Sequence, residues 1–249
     1  MKQLVVALSL VALLACGGSL DPEAARAALE SKGYSVDLAG MNQAVVARET
    51  ELISYFIQAG VDPNDFDNEE DAPLLIAARK LDLPTVKLLV ESGASAERLS
   101  RILHAPAARG YVELLEPLID AGAPLEGVDQ LRQTALMVAT DNGHEEAVQL
   151  LLSRGADANG PPRGDRRQNR PLVSAAANGN VELIQQLLEH GADIEKPGGR
   201  PLSSPLTAAA RHGRIEAVDA LLAAGAEKSE AAAQAAQRAG FDELAAKLR

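Results

Sequence analysis

Sulfur and aromatic side chains are scarce in this chain of 249 residues, which has one Cys, no Trp, three Tyr and three Phe. A single Cys excludes an intramolecular disulfide, so the fold must hold without covalent cross-links. Apolar residues still make up 47% of the chain. The core must therefore consist of Ala, Leu, Val and Ile, which favours short, closely packed helices over a large sandwich or barrel.

Positive charge is also in deficit, since 24 Lys and Arg face 35 Asp and Glu, for a net charge of −11. This balance argues against a nucleic-acid partner, because the phosphate backbone requires a positive surface. No Cys or His cluster has the spacing of metal ligands, and no phosphate loop or nucleophile motif is present. We therefore predict that the chain is not an enzyme and takes no metal or cofactor.

The N-terminus carries an uncharged apolar run over residues 4–15. Twelve residues are too few to span a bilayer, which needs about 20, but they fit the apolar region of a secretory signal. Residues 13–17 read Leu-Leu-Ala-Cys-Gly, which resembles the lipobox of bacterial lipoproteins. The alternative is an ordinary signal sequence whose Cys16 is an unmodified thiol.

The lipobox resemblance implies that residues 1–15 are a lipoprotein signal peptide and that Cys16 is acylated as the first mature residue. Residues 16–21 would then be a lipidated tether. In such proteins an Asp directly after the lipidated Cys favours retention in the inner membrane, and this chain has Gly17 there. We therefore expect a lipid-anchored protein of the bacterial envelope, in the outer membrane and facing the periplasm.

One phrase recurs along the chain, consisting of an apolar doublet, two variable residues, and Gly-Ala or Gly-Val. Its six glycines are spaced 33, 29, 33, 36 and 34 residues apart. They are Gly60, Gly93, Gly122, Gly155, Gly191 and Gly225. A fixed period of this length is typical of repeat architectures.

Each unit upstream of such a glycine predicts two short helices. In the unit that begins at Thr134, the Thr hydroxyl can cap the first helix and Gly143 can end it. The second helix buries Val148 and Leu151 on one face, and Gly155 ends it. Two such helices cannot bury an apolar face alone, so neighbouring pairs must stack.

The repeat resembles the ankyrin repeat. The Gly-Ala-Asp-x-Asn phrase is present at residues 155–159 and nearly so at 60–64, while Thr-Pro-Leu-His survives only in fragments, as at 72–74, 134–136, 170–172 and 204–206. The resemblance implies an all-α ankyrin-repeat solenoid of about six helix-turn-helix repeats with helical caps, and a protein-binding role. In that family, partners bind the loops between units, called fingers, and the inner short helices.

We predict one ankyrin-repeat domain over residues 22–249. Its repeats cover roughly 37–68, 69–100, 101–129, 130–163, 164–200 and 201–228, followed by a C-terminal cap at 229–249. The first helix should have Asp21 as its N-cap and Pro22 as its first residue. In the short third repeat, Pro117 should make the outer helix start late or bend.

The acidic finger, residues 62–71, is the first candidate partner-binding site. Its candidate residues are Phe66 as an aromatic anchor, with Asp67, Glu69 and Glu70 as contacts for a basic partner. The alternative is a solvated acidic loop. Calcium is a weaker option, because the EF-hand spacing and its central Gly are absent.

The arginine-rich finger, residues 160–170, is the second candidate site. Adjacent fingers stack, so its arginines can form one patch with an arginine of the next finger, and that patch would suit an anion or an acidic partner. The candidate residues are Arg163, Arg166, Arg167, Arg170 and Arg200. The alternative is a flexible insert that neutralises local acidity.

Together these features predict a monomeric, membrane-anchored scaffold that binds another protein in the bacterial envelope. Contact with the membrane would be through the lipid anchor only. Two alternatives remain open at this point. One is an immunity or inhibitor protein that neutralises an envelope-acting toxin, and the other is an envelope stress factor without a tight partner.

Overall fold

The computed structural model describes residues 21–160, 170–198 and 203–249. Cys16 and four of the candidate arginines (Arg163, Arg166, Arg167 and Arg200) lie outside these ranges. Within them the regular structure is helical, and β-structure is limited to an isolated bridge between Gly198 and Ser203. No helix in the described ranges has the length and apolar character needed to cross a membrane.

The chain divides into two compact units, residues 1–96 and 97–249. The described part of the first unit contains an N-terminal helix and two helix pairs. Its helices are α1 (Pro22–Ser31), α2 (Leu38–Ala47), α3 (Thr50–Gln58), α4 (Pro73–Arg79) and α5 (Leu83–Glu91), with a 3-10 turn at Glu69–Asp71 before α4.

The second unit contains five helix pairs in its described part. They are α6 (His104–Ala108) with α7 (Val112–Asp120), α8 (Ala135–Asp141) with α9 (Glu145–Ser153), α10 (Pro171–Asn178) with α11 (Val181–Glu189), α12 (Pro205–Arg211) with α13 (Ile215–Ala223), and α14 (Glu230–Arg238) with α15 (Asp242–Leu248). The first helix of each pair is called inner and the second outer.

Local sequence sets the helix ends. The Thr134 hydroxyl accepts a bond from the Met137 N–H at 3.3 Å and so caps α8. Asn180 caps α11 through a 2.9 Å bond from the Leu183 N–H. Gly155 follows α9 with φ of 96°, a left-handed conformation that other residues rarely adopt. The chain can therefore reverse within a few residues.

Within the second unit, inner helices pack on inner helices and outer helices on outer helices: α10 lies against α8 and α12, and α11 against α9 and α13. Ala139 and Ala175 of inner helices and Leu151 and Leu187 of outer helices are fully buried. Small inner side chains allow neighbouring repeats to approach closely. The predicted core of small aliphatic side chains and the all-α fold class are confirmed.

At the N-terminus, Asp21 Oδ1 accepts bonds from the Glu23 and Ala24 N–H groups, both at 3.0 Å, and Pro22 opens the helix as predicted. Of the two outcomes predicted for the outer helix of the third repeat, the late start is wrong, and the bend stays a prediction. Helix α7 begins at Val112 and runs through Pro117. Pro117 has no N–H to offer the Glu113 carbonyl, but Glu113 is exposed, so water can satisfy that carbonyl.

Candidate functional site

A recurring side-chain bridge joins the fingers of adjacent repeats, and we call it a rung. The side chain four residues after a repeat glycine bonds the backbone of the next repeat. Asn159 Oδ1 accepts from the Asp193 N–H at 2.9 Å, and its Nδ2 donates to the Gly191 carbonyl at 3.0 Å. Asn64 makes the same two bonds in the first unit, to Ser95 N at 2.8 Å and to Gly93 O at 3.0 Å.

Glutamate forms a weaker rung at the same position. Glu126 accepts from the Asp157 N–H at 2.8 Å, and Glu195 accepts from the Glu227 N–H at 2.9 Å. A carboxylate has no donor, so each makes one such bond where Asn makes two. The N–H that donates in a rung belongs to the residue two positions after a repeat glycine. After Gly122 this residue is Pro124, which has no N–H to donate.

The sequence predictions did not include these rungs, which join the fingers of adjacent repeats within each unit. A signal was available, because Asn or Glu stands four residues after five successive repeat glycines. The residues at these positions are Asn64, Glu97, Glu126, Asn159 and Glu195.

The backbone of the acidic finger is tied down along its length. Asp62 Oδ1 accepts from the Asn64 N–H at 2.8 Å, which makes a tight turn at the start. Asn68 Oδ1 accepts from the Glu70 N–H at 3.2 Å. The carbonyl of Asp71 accepts from Asn42 Nδ2 at 2.7 Å. A partner would therefore meet a loop that is already ordered.

The side chains of this finger differ in exposure. Asp67 is exposed and Glu69 is half-buried. Glu70 forms an ion pair with Arg79 of α4, including a 3.0 Å bond between Oε1 and Nη2. Hydrogen bonding of the Arg79 guanidinium to the Glu70 carboxylate is the main reason the pKa of Arg79 lies above its ordinary value. Asp67 is thus the best placed of the three carboxylates to meet a partner.

Phe66 is not at the surface. Its side chain is only 7% exposed, so the ring belongs to the interior of the first unit and is not presented as an aromatic anchor. The physical reason is the large apolar area that an aromatic ring buries, in a chain with few aromatic residues to fill its core. The acidic finger therefore offers carboxylates without an exposed ring.

Arg170 closes the arginine-rich finger and bonds two backbone carbonyls. Its Nη1 donates to Asn159 O at 2.5 Å, and its Nε donates to Pro197 O at 3.3 Å. These bonds join its own finger to the next, so its guanidinium supports the loops. Asp67, Glu69 and Glu70 lie in the first unit and Arg170 in the second. The role of these residues in binding stays a prediction.

A row of polar groups links the inner helices α6 and α8, and the Asp141 carbonyl at the end of α8 accepts from Asn178 Nδ2 of α10 at 3.3 Å. His104 Nε2 lies 2.8 Å from the Gln133 carbonyl, and Gln133 Nε2 donates to Asp141 Oδ2 at 2.9 Å. Burial raises the pKa of Asp141, while its interactions with Ser174 and Gln133 oppose that rise. In the described ranges, no group of three or more His, Cys, Asp or Glu side chains could hold a metal ion. The row's observed contacts join neighbouring repeats.

Residues 103–198 and 163–232 match the family model for ankyrin repeats in three copies, and together they cover over half of the chain. The chain is an ankyrin-repeat protein. Human B-cell lymphoma 3 protein is 35% identical over 114 residues, which are 43% of this chain and 25% of the human protein. A putative ankyrin repeat protein of fowlpox virus is 33% identical over 87 residues, 33% of this chain and 20% of the viral protein.

Among solved structures, the ankyrin repeat domain of Bcl-3 is similar, with a TM-score of 0.60 and 29% identity over 76% of this chain and 87% of that one. The E3 ubiquitin-protein ligase XB3 of rice is 44% identical, but over only 25% of this chain and 13% of the ligase. This ankyrin-repeat protein spans a quarter or less of the length of these curated relatives. Its repeats are a scaffold for protein–protein interaction.

Proposed function

We propose that this ankyrin-repeat protein is a lipid-anchored scaffold that binds another protein in the bacterial envelope, without catalysing a reaction. The binding role follows from the repeat family. The observation that carries the location is the Leu-Leu-Ala-Cys-Gly sequence at residues 13–17, placed directly after an apolar run. Its similarity to the lipobox supports acylation of Cys16 and the outer membrane as destination.

The distance between anchor and repeats is short. Helix α1 begins at Pro22, so five residues separate Cys16 from the first helix. At about 3.5 Å per extended residue this tether would reach at most roughly 18 Å. An anchored protein would therefore present its first repeats close to the membrane surface. Its negative charge would be repelled by anionic lipid, which leaves the anchor as the membrane contact.

The acidic finger suits binding because its backbone is already ordered by the Asn64 rung and by its turns. Ordering a loop at the moment of binding costs free energy, and a fixed loop avoids that cost. Acidic carboxylates such as Asp67 would face a partner with a basic surface. The three arginines Arg163, Arg166 and Arg167 would instead suit an acidic partner.

The first experiment replaces Cys16 by Ser and follows the protein by cell fractionation and intact mass. The wild type should be in the membrane fraction and carry the added mass of acyl chains, whereas Cys16→Ser should be unprocessed or soluble. Ser19→Ala, in the same tether, is the matched control and should behave as the wild type. Equal membrane recovery of Cys16→Ser and wild type would contradict the anchor.

The second experiment tests the fingers with a partner recovered from detergent-solubilised envelope. Two multiple variants are compared by their affinity for this partner. The first combines Arg163→Ala, Arg166→Ala and Arg167→Ala, and the second combines Asp67→Asn and Glu69→Gln. Arg170 is left intact because it bonds the Asn159 and Pro197 carbonyls. One set should weaken binding while leaving the unfolding transition unchanged. Unchanged affinity in both sets would place the interface elsewhere.

A second candidate within this class is an immunity or inhibitor protein that blocks an envelope-acting toxin. The net charge of −11 favours it, because an acidic scaffold suits a basic toxin surface. Such a protein should protect cells that express it against one toxin, and the acidic-finger set should remove that protection. An envelope stress factor should instead give a deletion phenotype under stress and no stoichiometric partner.

A further inference from the structure

A cavity of about 430 Å³ lies at the C-terminal end of the second unit, between the start of α13 and the turn into α15. We call it the end cavity, and its lining residues are Ile215, Gly240, Phe241, Asp242, Glu243 and Leu244. Ile215 is 53% exposed and Phe241 is 40% exposed. Two of the four large apolar side chains exposed in the described ranges thus line one cavity.

Contacts with neighbouring residues hold the apolar wall of the end cavity in place. The Phe241 ring packs against Gly213, so closely that a methyl carbon at position 213 would come within 2.6 Å of its Cε1. The Phe241 N–H donates to the Ala236 carbonyl at 2.9 Å, and Leu244 beside it is only 5% exposed. The ring is therefore fixed while part of its surface is left open.

The rim of the end cavity is acidic. Asp242 and Glu243 are both exposed at its edge. The nearby Lys247 is ion-paired with Asp219 of α13, so its charge is compensated there. A fixed apolar wall beside two carboxylates has the chemistry to hold an apolar side chain whose neighbours are cationic.

We propose that the end cavity docks a short segment of another protein that presents one large apolar side chain flanked by Lys or Arg. A second copy of this chain is disfavoured, because two molecules of charge −11 would bring their Asp242 and Glu243 carboxylates together. The end cavity shares no residue with the acidic and arginine-rich fingers. Its test is therefore independent of the tests of the proposed function.

The experiment measures fluorescence polarisation of labelled peptides with the full chain. The probes are Lys-Arg-Phe-Lys-Arg, Lys-Arg-Ala-Lys-Arg and Glu-Asp-Phe-Glu-Asp. Burial of a Phe side chain should make the first peptide bind about tenfold or more tightly than the second. The acidic peptide should bind more weakly than either because the rim repels it.

Two lysine substitutions at exposed apolar positions separate the end cavity from the rest of the acidic surface. Ile215→Lys should remove the preference for the Phe peptide, and Leu131→Lys, at a finger residue that is 72% exposed, should retain it. Asp242→Asn combined with Glu243→Gln should weaken both basic peptides and reduce their salt dependence. This double variant keeps the apolar wall, so it tests the site even if Ile215→Lys does not fold.

Three outcomes would overturn the proposal. The Phe and Ala peptides could bind wild type equally, or Leu131→Lys could lose the preference as fully as Ile215→Lys. Light scattering could instead show that wild type self-associates and that Ile215→Lys is monomeric, with peptide binding unaffected. That last result would assign the end cavity to a second copy of this chain.

Discussion

Asn159→Ala should destabilise the second unit by removing both bonds of one rung. A net hydrogen bond contributes about 0.5–1.5 kcal/mol to stability. The two bonds of Asn159, at 2.9 and 3.0 Å, lie at a partly exposed position, so we expect a loss of about 1–2 kcal/mol. Such a loss lowers the Tm of a chain of this size by about 2–8 °C.

Comparison with other rungs makes the test quantitative. Glu195→Ala removes one bond, to the Glu227 N–H at 2.9 Å, and should cost about half as much as Asn159→Ala. Asn64→Ala removes a two-bond rung in the first unit and should resemble Asn159→Ala. Asn159→Asp keeps the acceptor and loses the donor, so its effect should lie between those of wild type and Asn159→Ala.

The assay is urea unfolding followed by circular dichroism, together with hydrogen exchange at the Asp193 amide. The urea slope must stay constant across variants, because a change in slope would mean that repeats unfold separately. Asn159→Ala should also speed exchange of the Asp193 N–H, whose acceptor it removes. The prediction is refuted if Asn159→Ala and Glu195→Ala lose the same stability, or if exchange at the Asp193 amide does not change. In either case the number of hydrogen bonds in a rung does not determine how strongly adjacent repeats stabilise each other.

Two further predictions concern a glycine and a partly buried carboxyl. Gly213→Ala should destabilise the protein by about 1–3 kcal/mol more than Gly143→Ala. Both glycines have positive φ, but only a methyl group at position 213 would meet the Phe241 ring. Equal unfolding midpoints of the two variants would refute this. The raised pKa of Asp141 means that the folded state holds the proton of this carboxyl more tightly than the unfolded state does. The contribution of Asp141 to the free energy of unfolding should therefore fall as pH rises from the ordinary Asp pKa through the folded pKa. Asp141→Asn should flatten that decrease in the urea midpoint as the pH rises above the ordinary Asp pKa, and an unchanged slope would show that Asp141 is not its source.

The helix pairs could be predicted because their signals are local. Gly143 and Gly155 stand where the inner and outer helices must end, and Thr134 stands where the inner helix must be capped. Burial could not be predicted in the same way. Phe66 lies among acidic residues, and these neighbours predict an exposed ring, but the ring is buried.

The contacts that polar side chains make between repeats also could not be predicted from the sequence. The sequence predicts Arg170 as one arginine of a surface patch, yet its guanidinium donates to the carbonyls of Asn159 and Pro197. The partner groups are backbone atoms 11 and 27 residues away, and one sequence gives no indication of such pairs. The recurrence of Asn or Glu four residues after the repeat glycine was the available signal, and it depends on reading all repeats in register.

The contact between Phe241 and Gly213 has a consequence for how such a chain can change by duplication. Glycines at the same place in other repeats face different neighbours: Gly110 faces the His144 ring, and Gly179 faces the aliphatic part of Arg214. Each of these glycines leaves room for a particular side chain of the following repeat. Copying, deleting or reordering one repeat would therefore create a junction between a glycine and a side chain that have not been fitted to each other, so the order of the repeats is itself encoded in the sequence.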